Sequence, residues 1–222
     1  MDQDAAAAIG SLSEPVRRDL YAYVCGQQEP VGRDQAAEAV SVPRHTAKFH
    51  LDRLVDEGLL EVDYQRLTGR SGPGAGRPAK VYRRADREIA VSLPARHYDL
   101  AGRILAGAVE RAATGGDVMT AVGDTARAAG RAAGAASAAS GDDLERLSDT
   151  LAEDGYEPRR SEERLVLDNC PFDQLARDHT ELVCGLNLAY VEGVAEGLGC
   201  PGVRARLEPG VARCCVTASV SG

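Results

Sequence analysis

The chain has no tryptophan, and aromatic residues make up only 4% of its 222 positions. With apolar residues at 44%, packed cores are available, but they must be built from leucine, valine and alanine. No apolar run approaches the roughly 18 residues that a transmembrane helix needs, so no membrane span is expected. The start, Met1-Asp2-Gln3-Asp4 and a short alanine run, lacks the positive and apolar regions of a signal peptide. The expectation is a cytoplasmic protein. Missing too are GxSxG, HExxH, a P-loop and GxGxxG, the motifs that place a nucleophile, zinc or a phosphate. Cys170 and His179 form a nominal nucleophile and base, but without a third orienting group they make no catalytic site. An enzyme is not expected.

Cysteine is present, and unevenly. Cys25 stands alone, while Cys170, Cys184, Cys200, Cys214 and Cys215 crowd the last quarter. In a reducing compartment disulfides are disfavoured, and such a crowd points to metal or redox chemistry. Charge is uneven as well. The net charge is −8, yet residues 1–90 hold 13 basic against 14 acidic side chains, so the acidic excess lies beyond them. Between Tyr64 and Arg84 stand six basic residues and no acidic one. Local charge of this kind attracts phosphates whatever the total.

Periodicity organises the first part. Ser11 to Gln27 reads as a helix capped by Ser13, with Val16, Leu20 and Val24 on one face. A short helix follows from Arg33. A third spans Pro43 to Glu57, with Ala47, Leu51, Leu54 and Val55 at helical spacing and Gly58 as its stop. Leu59 to Tyr64 reads as a strand, Thr68 to Pro78 as a loop, and Ala79 to Arg83 as the return strand. Three helices, a strand, a basic loop and a strand are the order of a winged helix.

Beyond it, Pro94 to Ala113 reads as a helix with a Leu100, Ile104 and Leu105 stripe that suits homodimerisation. Residues 114–142 are rich in alanine and glycine. Gly123, Gly130 and Gly134 each cost a helix up to about 1 kcal/mol, so this stretch is expected to be a hinge. The last 80 or so residues alternate as helix (Asp143 to Glu153), strand (Leu165 to Asn169), short helix (Phe172 to Asp178) and long helix (Glu181 to Leu198). A hairpin closes them, Val203 to Leu207 and Ala212 to Ala218 turned at Pro209-Gly210. The expected fold class is α+β: a winged helix-turn-helix over 1–90, a helical dimerisation and hinge segment over 91–142, and a small cysteine-containing α+β sensor domain over 143–222.

On the third helix Arg44, His45, Thr46, Lys48 and Phe49 avoid the core face. The early residues of such a helix reach base edges in the major groove. Arg66, Arg70, Arg77 and Lys80 charge the wing. His50 reads as a packing or phosphate-contacting residue. The expected partner is a double-stranded DNA operator, palindromic if the protein is a homodimer. Thiolates suit zinc or an iron–sulfur cluster. The gaps of 13, 15 and 13 residues between Cys170, Cys184, Cys200 and Cys214 are not those of CxxC knuckles. Strand alternation sends Cys214 and Cys215 to opposite faces, with Cys214 inward beside Val216 and Ala218.

The segments HLDRLVDEGLL (from His50) and GRPAKVY (from Gly76), Asn169-Cys170-Pro171-Phe172, the His179, Glu181 and Cys184 stretch and the terminal cysteine pair together resemble the SufR-type regulators. These are winged-helix repressors of iron–sulfur cluster assembly genes, related to ArsR- and DeoR-like proteins in the N-terminal domain. The resemblance implies a repressor with a [4Fe–4S] cluster on Cys170, Cys184 and Cys214 or Cys215, with Cys200 in an additional position. Zinc, or no metal, is the alternative to the cluster. The competing function is a winged-helix regulator whose C-terminal domain binds a small-molecule effector, its cysteines structural or redox-sensing.

Overall fold

A computed structural model describes residues 3–65, 78–210 and 213–220. The chain divides into two units, Met1–Val91 and Ser92–Gly222.

In the first unit, the helix expected from Ser11 to Gln27 begins later, as α2 (Pro15–Cys25), and a helix that was not expected, α1 (Gln3–Ser11), precedes it. The reason is Pro15, which drives the residue before it out of helical geometry. Glu14 is extended and is the true cap; its carboxylate accepts from the N–H of Val16 at 3.3 Å and of Arg17 at 2.7 Å. The Ser13 hydroxyl instead donates back to the Gly10 carbonyl at 2.7 Å.

Then come β1 (Val31–Gly32), α3 (Arg33–Ala39), α4 (Arg44–Asp56), β2 (Leu60–Gln65) and β3 (Ala79–Arg84). The sharp turn between α3 and α4 passes through Ser41 at a positive φ of 56°. Gly58, at φ 69°, stops α4 as its missing Cβ allows. The sheet runs β1-β3-β2, all antiparallel, with Tyr82 of β3 opposite both Val31 and Val62. Leu20, Val24, Leu51, Leu54, Leu60 and Tyr82 close the core beneath it. This is a winged helix-turn-helix.

The second unit contains α5 (Tyr98–Ala112), α6 (Val118–Ala136), α7 (Asp143–Glu153), β4 (Pro158–Arg160), β5 (Arg164–Leu167), α8 (Asp173–Asp178), α9 (Thr180–Gly197), β6 (Val203–Leu207) and β7 (Val216–Val220). Its sheet is antiparallel, in the order β4-β5-β7-β6. The α9 helix buries Val183, Leu186, Asn187, Tyr190, Val191 and Val194 and packs against both α6 and the sheet. A helix apolar around most of its circumference belongs in the middle of a domain.

One expectation is corrected here. The expected hinge is largely α6, a 19-residue helix capped by Asp117, whose carboxylate accepts from Thr120 N–H at 2.8 Å. Its glycines are contact points. A Cβ on Gly130 would lie 2.1 Å from the Tyr190 carbonyl oxygen, and one on Gly134 2.3 Å from that of Val194. Gly193 and Gly197 of α9 answer with equally close approaches to Arg127 and Arg131 of α6. Lost helix propensity is exchanged for backbone-to-backbone packing, with Arg127 bridging Glu192 and Glu196 along the rim. Of the stripe expected to suit homodimerisation, Ile104 is buried inside this unit, and Leu100 and Leu105 are partly buried against the same core.

Candidate functional site

In the first unit the core claims Ala47, Leu51 and Leu54 of α4, which leaves Arg44, His45, Lys48 and Phe49 exposed and Thr46 half-buried. Phe49 is 64% exposed, with its ring edge-on to His50 at 5.2 Å between centroids. An exposed phenylalanine on the first turns of this helix has no packing reason to be there. His50 is half-buried on α4, with Nδ1 3.4 Å from the Glu14 carboxylate that caps α2.

The cations here are already paired. Arg44 meets Asp34 at 2.6 Å and Lys48 meets Asp52 at 3.1 Å. Lys80, on the wing strand β3, also binds Asp52, and the Tyr82 hydroxyl donates to the same carboxylate at 3.1 Å. Burial pushes the Asp52 carboxyl up, but donation from Lys80, Lys48 and Tyr82 outweighs it and holds it below the usual carboxylate range. Burial and that carboxylate together drive the Tyr82 phenol well above its ordinary value. Arg33, Arg44 and Lys80 rim a groove of about 550 Å³ between the start of α3 and the wing strand. Arg66, Arg70 and Arg77 lie outside the described residues.

In the second unit the structure brings four thiols together from three segments. Cys170 follows β5, Cys184 is in α9, and Cys214 and Cys215 precede β7. Cys214 is at the centre, in hydrogen-bonding contact with Cys170 and Cys215, while Cys215 also meets Cys184. Asn187 donates to the Cys214 sulfur at 3.0 Å, and the Val216 N–H does so at 3.5 Å. Donation from Cys170 and Cys215, against burial, pulls the Cys214 thiol far below its ordinary range. The same contacts push Cys170 and Cys215 up. The four thiols therefore titrate as one coupled group rather than as independent cysteines.

Cys200, also in the expected ligand set, does not join this group. It closes the C-terminal end of α9, with its sulfur 3.8 Å from the Asp143 carbonyl. There it borders a separate cavity of about 490 Å³ with Arg127, Glu196 and Arg204. Cys215 takes the fourth place. Because β7 begins only at Val216, both terminal cysteines precede the strand, and its alternation does not decide between them. Cys214 is nonetheless the buried one, as expected. His179 sits between α8 and α9, beside a cavity lined by Met119, Glu181 and Leu182. Cys25 lies in the first unit, against Tyr21.

Two site residues escaped the sequence reading. Asn187, fully buried in α9, accepts from the Tyr156 hydroxyl at 2.5 Å while donating to Cys214. An asparagine inside an apolar helix pattern was the available signal, since buried amides must find partners. Asn169, also buried, spends its Nδ2 on the carbonyls of Ala95 and Gly155. Among the described residues no group of three or more His, Cys, Asp or Glu side chains is set to hold a single metal ion. The four thiols meet in pairwise contacts through Cys214 and Cys215. Thiolate donors of this kind suit zinc or an iron–sulfur cluster.

No helix among the described residues is long and apolar enough to cross a membrane. Comparisons with curated proteins and with solved structures each found no significant match. Residues 12–63, from just before α2 into β2, match the helix-turn-helix domain family, so the first unit is of the kind that DNA-binding regulators carry.

Proposed function

We propose that the protein is a cytoplasmic transcriptional repressor that binds a palindromic operator as a homodimer, its affinity set by an iron–sulfur cluster on Cys170, Cys184, Cys214 and Cys215. The helix-turn-helix match and the exposed Arg44, His45, Lys48 and Phe49 on α4 support the DNA half of this reading. The convergence of four thiols from three segments on Cys214 is the single observation that carries the sensing half.

The residues have separable tasks. His45 and Phe49 face base edges, while Arg33, Arg44 and Lys80 meet phosphates once Asp34 and Asp52 release them. Asn187 and Tyr156 hold the thiolate at Cys214 and keep its surroundings polar enough to ionise. A bound cluster supplies one-electron redox chemistry and a need for deprotonated sulfur. Two copies reading one palindrome place two such helices about one helical turn apart.

Anaerobic purification, loading with ferrous iron and sulfide, and visible absorption with iron analysis test the cofactor. Duplex selection from a random library, followed by binding with and without loading, tests the control. The reading requires visible absorbance that is lost in Cys214→Ser, and an operator affinity that differs between the two states. A colourless, iron-free protein after loading removes the cluster. A symmetric selected site bound by a monomer removes the homodimer.

A further inference from the structure

Immediately after the winged-helix unit ends at Val91, the chain runs through Ser92, Leu93 and Pro94 to Ala95, Arg96 and His97. That last tripeptide is bonded, on every residue, to the region around the first thiol. The Ala95 carbonyl accepts from Asn169 Nδ2 at 3.0 Å. Arg96 Nη1 donates to the Cys170 carbonyl at 3.2 Å and to Asn169 Oδ1, and its other Nη lies 3.8 Å from Asp173. The His97 N–H donates to the Pro171 carbonyl at 3.1 Å. Asn169 completes the knot through the Gly155 carbonyl at 2.6 Å. The Arg96 side chain is only 18% exposed.

We infer that Arg96 and Asn169 are positioning residues that couple the state of the Cys170 thiol to the segment leading out of the DNA-binding unit. The inference rests on the proposed thiol sensing. Cys170 presents its sulfur to Cys214 and its carbonyl to Arg96. A bulky group on the sulfur must be accommodated within the same short loop whose carbonyls Arg96 and His97 hold. A loop needed only for stability would not have to spend the Asn169 amide, two Arg96 bonds and one backbone N–H on this one tripeptide.

The test compares full-length chains in which Cys170 is the one cysteine kept and the other five are serine, with Arg96 as in wild type, Arg96→Ala or Arg96→Lys, each reduced or alkylated with iodoacetamide, with modification at Cys170 confirmed by mass. Amide hydrogen exchange over residues 92–97 is the readout, because it needs neither cluster nor DNA. With Arg96 in place, alkylation should raise exchange there several-fold. Arg96→Ala should exchange at the raised rate before alkylation and fail to respond to it, while Arg96→Lys, which keeps the charge and one donor, should recover part of the response. A segment that ignores alkylation with Arg96 in place overturns the coupling. So does an Arg96→Ala protein that responds as fully as the chain with Arg96, while Arg96→Lys with the melting temperature of that chain shows that the comparison is of folded proteins. Failure to take up iron sinks the cluster reading and leaves this result standing.

Discussion

Gly130 of α6 and Tyr190 of α9 approach so closely that a Cβ on the glycine would lie 2.1 Å from the Tyr190 carbonyl oxygen. Neither backbone can yield without separating the helices, because Gly134, Gly193 and Gly197 repeat the contact on the neighbouring turns.

Opposite effects are therefore expected from one substitution at two places in α6. Gly130→Ala should destabilise the second unit by about 1–3 kcal/mol or more, through overpacking. Gly123→Ala meets nothing within 4 Å and should stabilise it by up to about 1 kcal/mol through helix propensity. Denaturant unfolding of the two variants checks this; the same sign in both would contradict the close-packed seam.

Asp52 neutralises Lys48 and Lys80 together. Asp52→Asn should free both cations for phosphate, raise affinity for random duplex, and steepen the salt dependence of log K by up to about two units. Anisotropy titrations over a range of salt concentrations measure the slope. An unchanged slope would mean that the two lysines do not reach the backbone.

Phe49 is exposed and contributes little to the core. Phe49→Ala should leave the melting temperature unchanged, cost roughly 1–3 kcal/mol on the selected operator, and leave random-duplex affinity and its salt slope alone. Arg44→Ala should instead reduce the salt slope by about one. If Phe49→Ala weakened both duplexes equally, the residue would not be reading bases.

Asp154 supplies the pH dependence. Burial raises its pKa, against donation from the Tyr190 hydroxyl at 2.6 Å and the charge of His97. An acid raised on folding contributes stability that is fully present below its unfolded pKa of about 4 and is lost as pH climbs through the folded value. Asp154→Asn keeps an acceptor for Tyr190 and cannot ionise. Its melting temperature should exceed that of wild type at neutral pH and converge with it as pH falls towards about 4. An equal gap at both ends would show that ionisation is not the cause.

Local pattern made much of this legible. The α4 helix, its Gly58 stop, the two wing strands, α7, α8 and α9 all followed from periodicity and turn residues, because each obeys its own sequence neighbours. Pro15 carried the signal that starts α2 after Glu14, since its restriction of that residue is local too. Where a choice depended on distant segments, local reading failed. The α6 glycines weaken an isolated helix, and only the matching glycines of α9 turn them into a seam.

The site divides in the same way. Residue types and order along the chain were enough to mark Arg44, His45, Lys48 and Phe49 as outward-facing and to mark the late cysteines as a chemical group. Which thiols meet was decided by the fold: β7 starts at Val216, Cys200 is held at α7, and Cys215 takes its place beside Cys184. Asn187 to Tyr156, and Arg96 to Asn169, are hydrogen bonds across 31 and 73 positions of chain. Periodicity describes which face a residue shares with its neighbours. It says nothing about which distant face is brought opposite, because that is set by how whole elements pack.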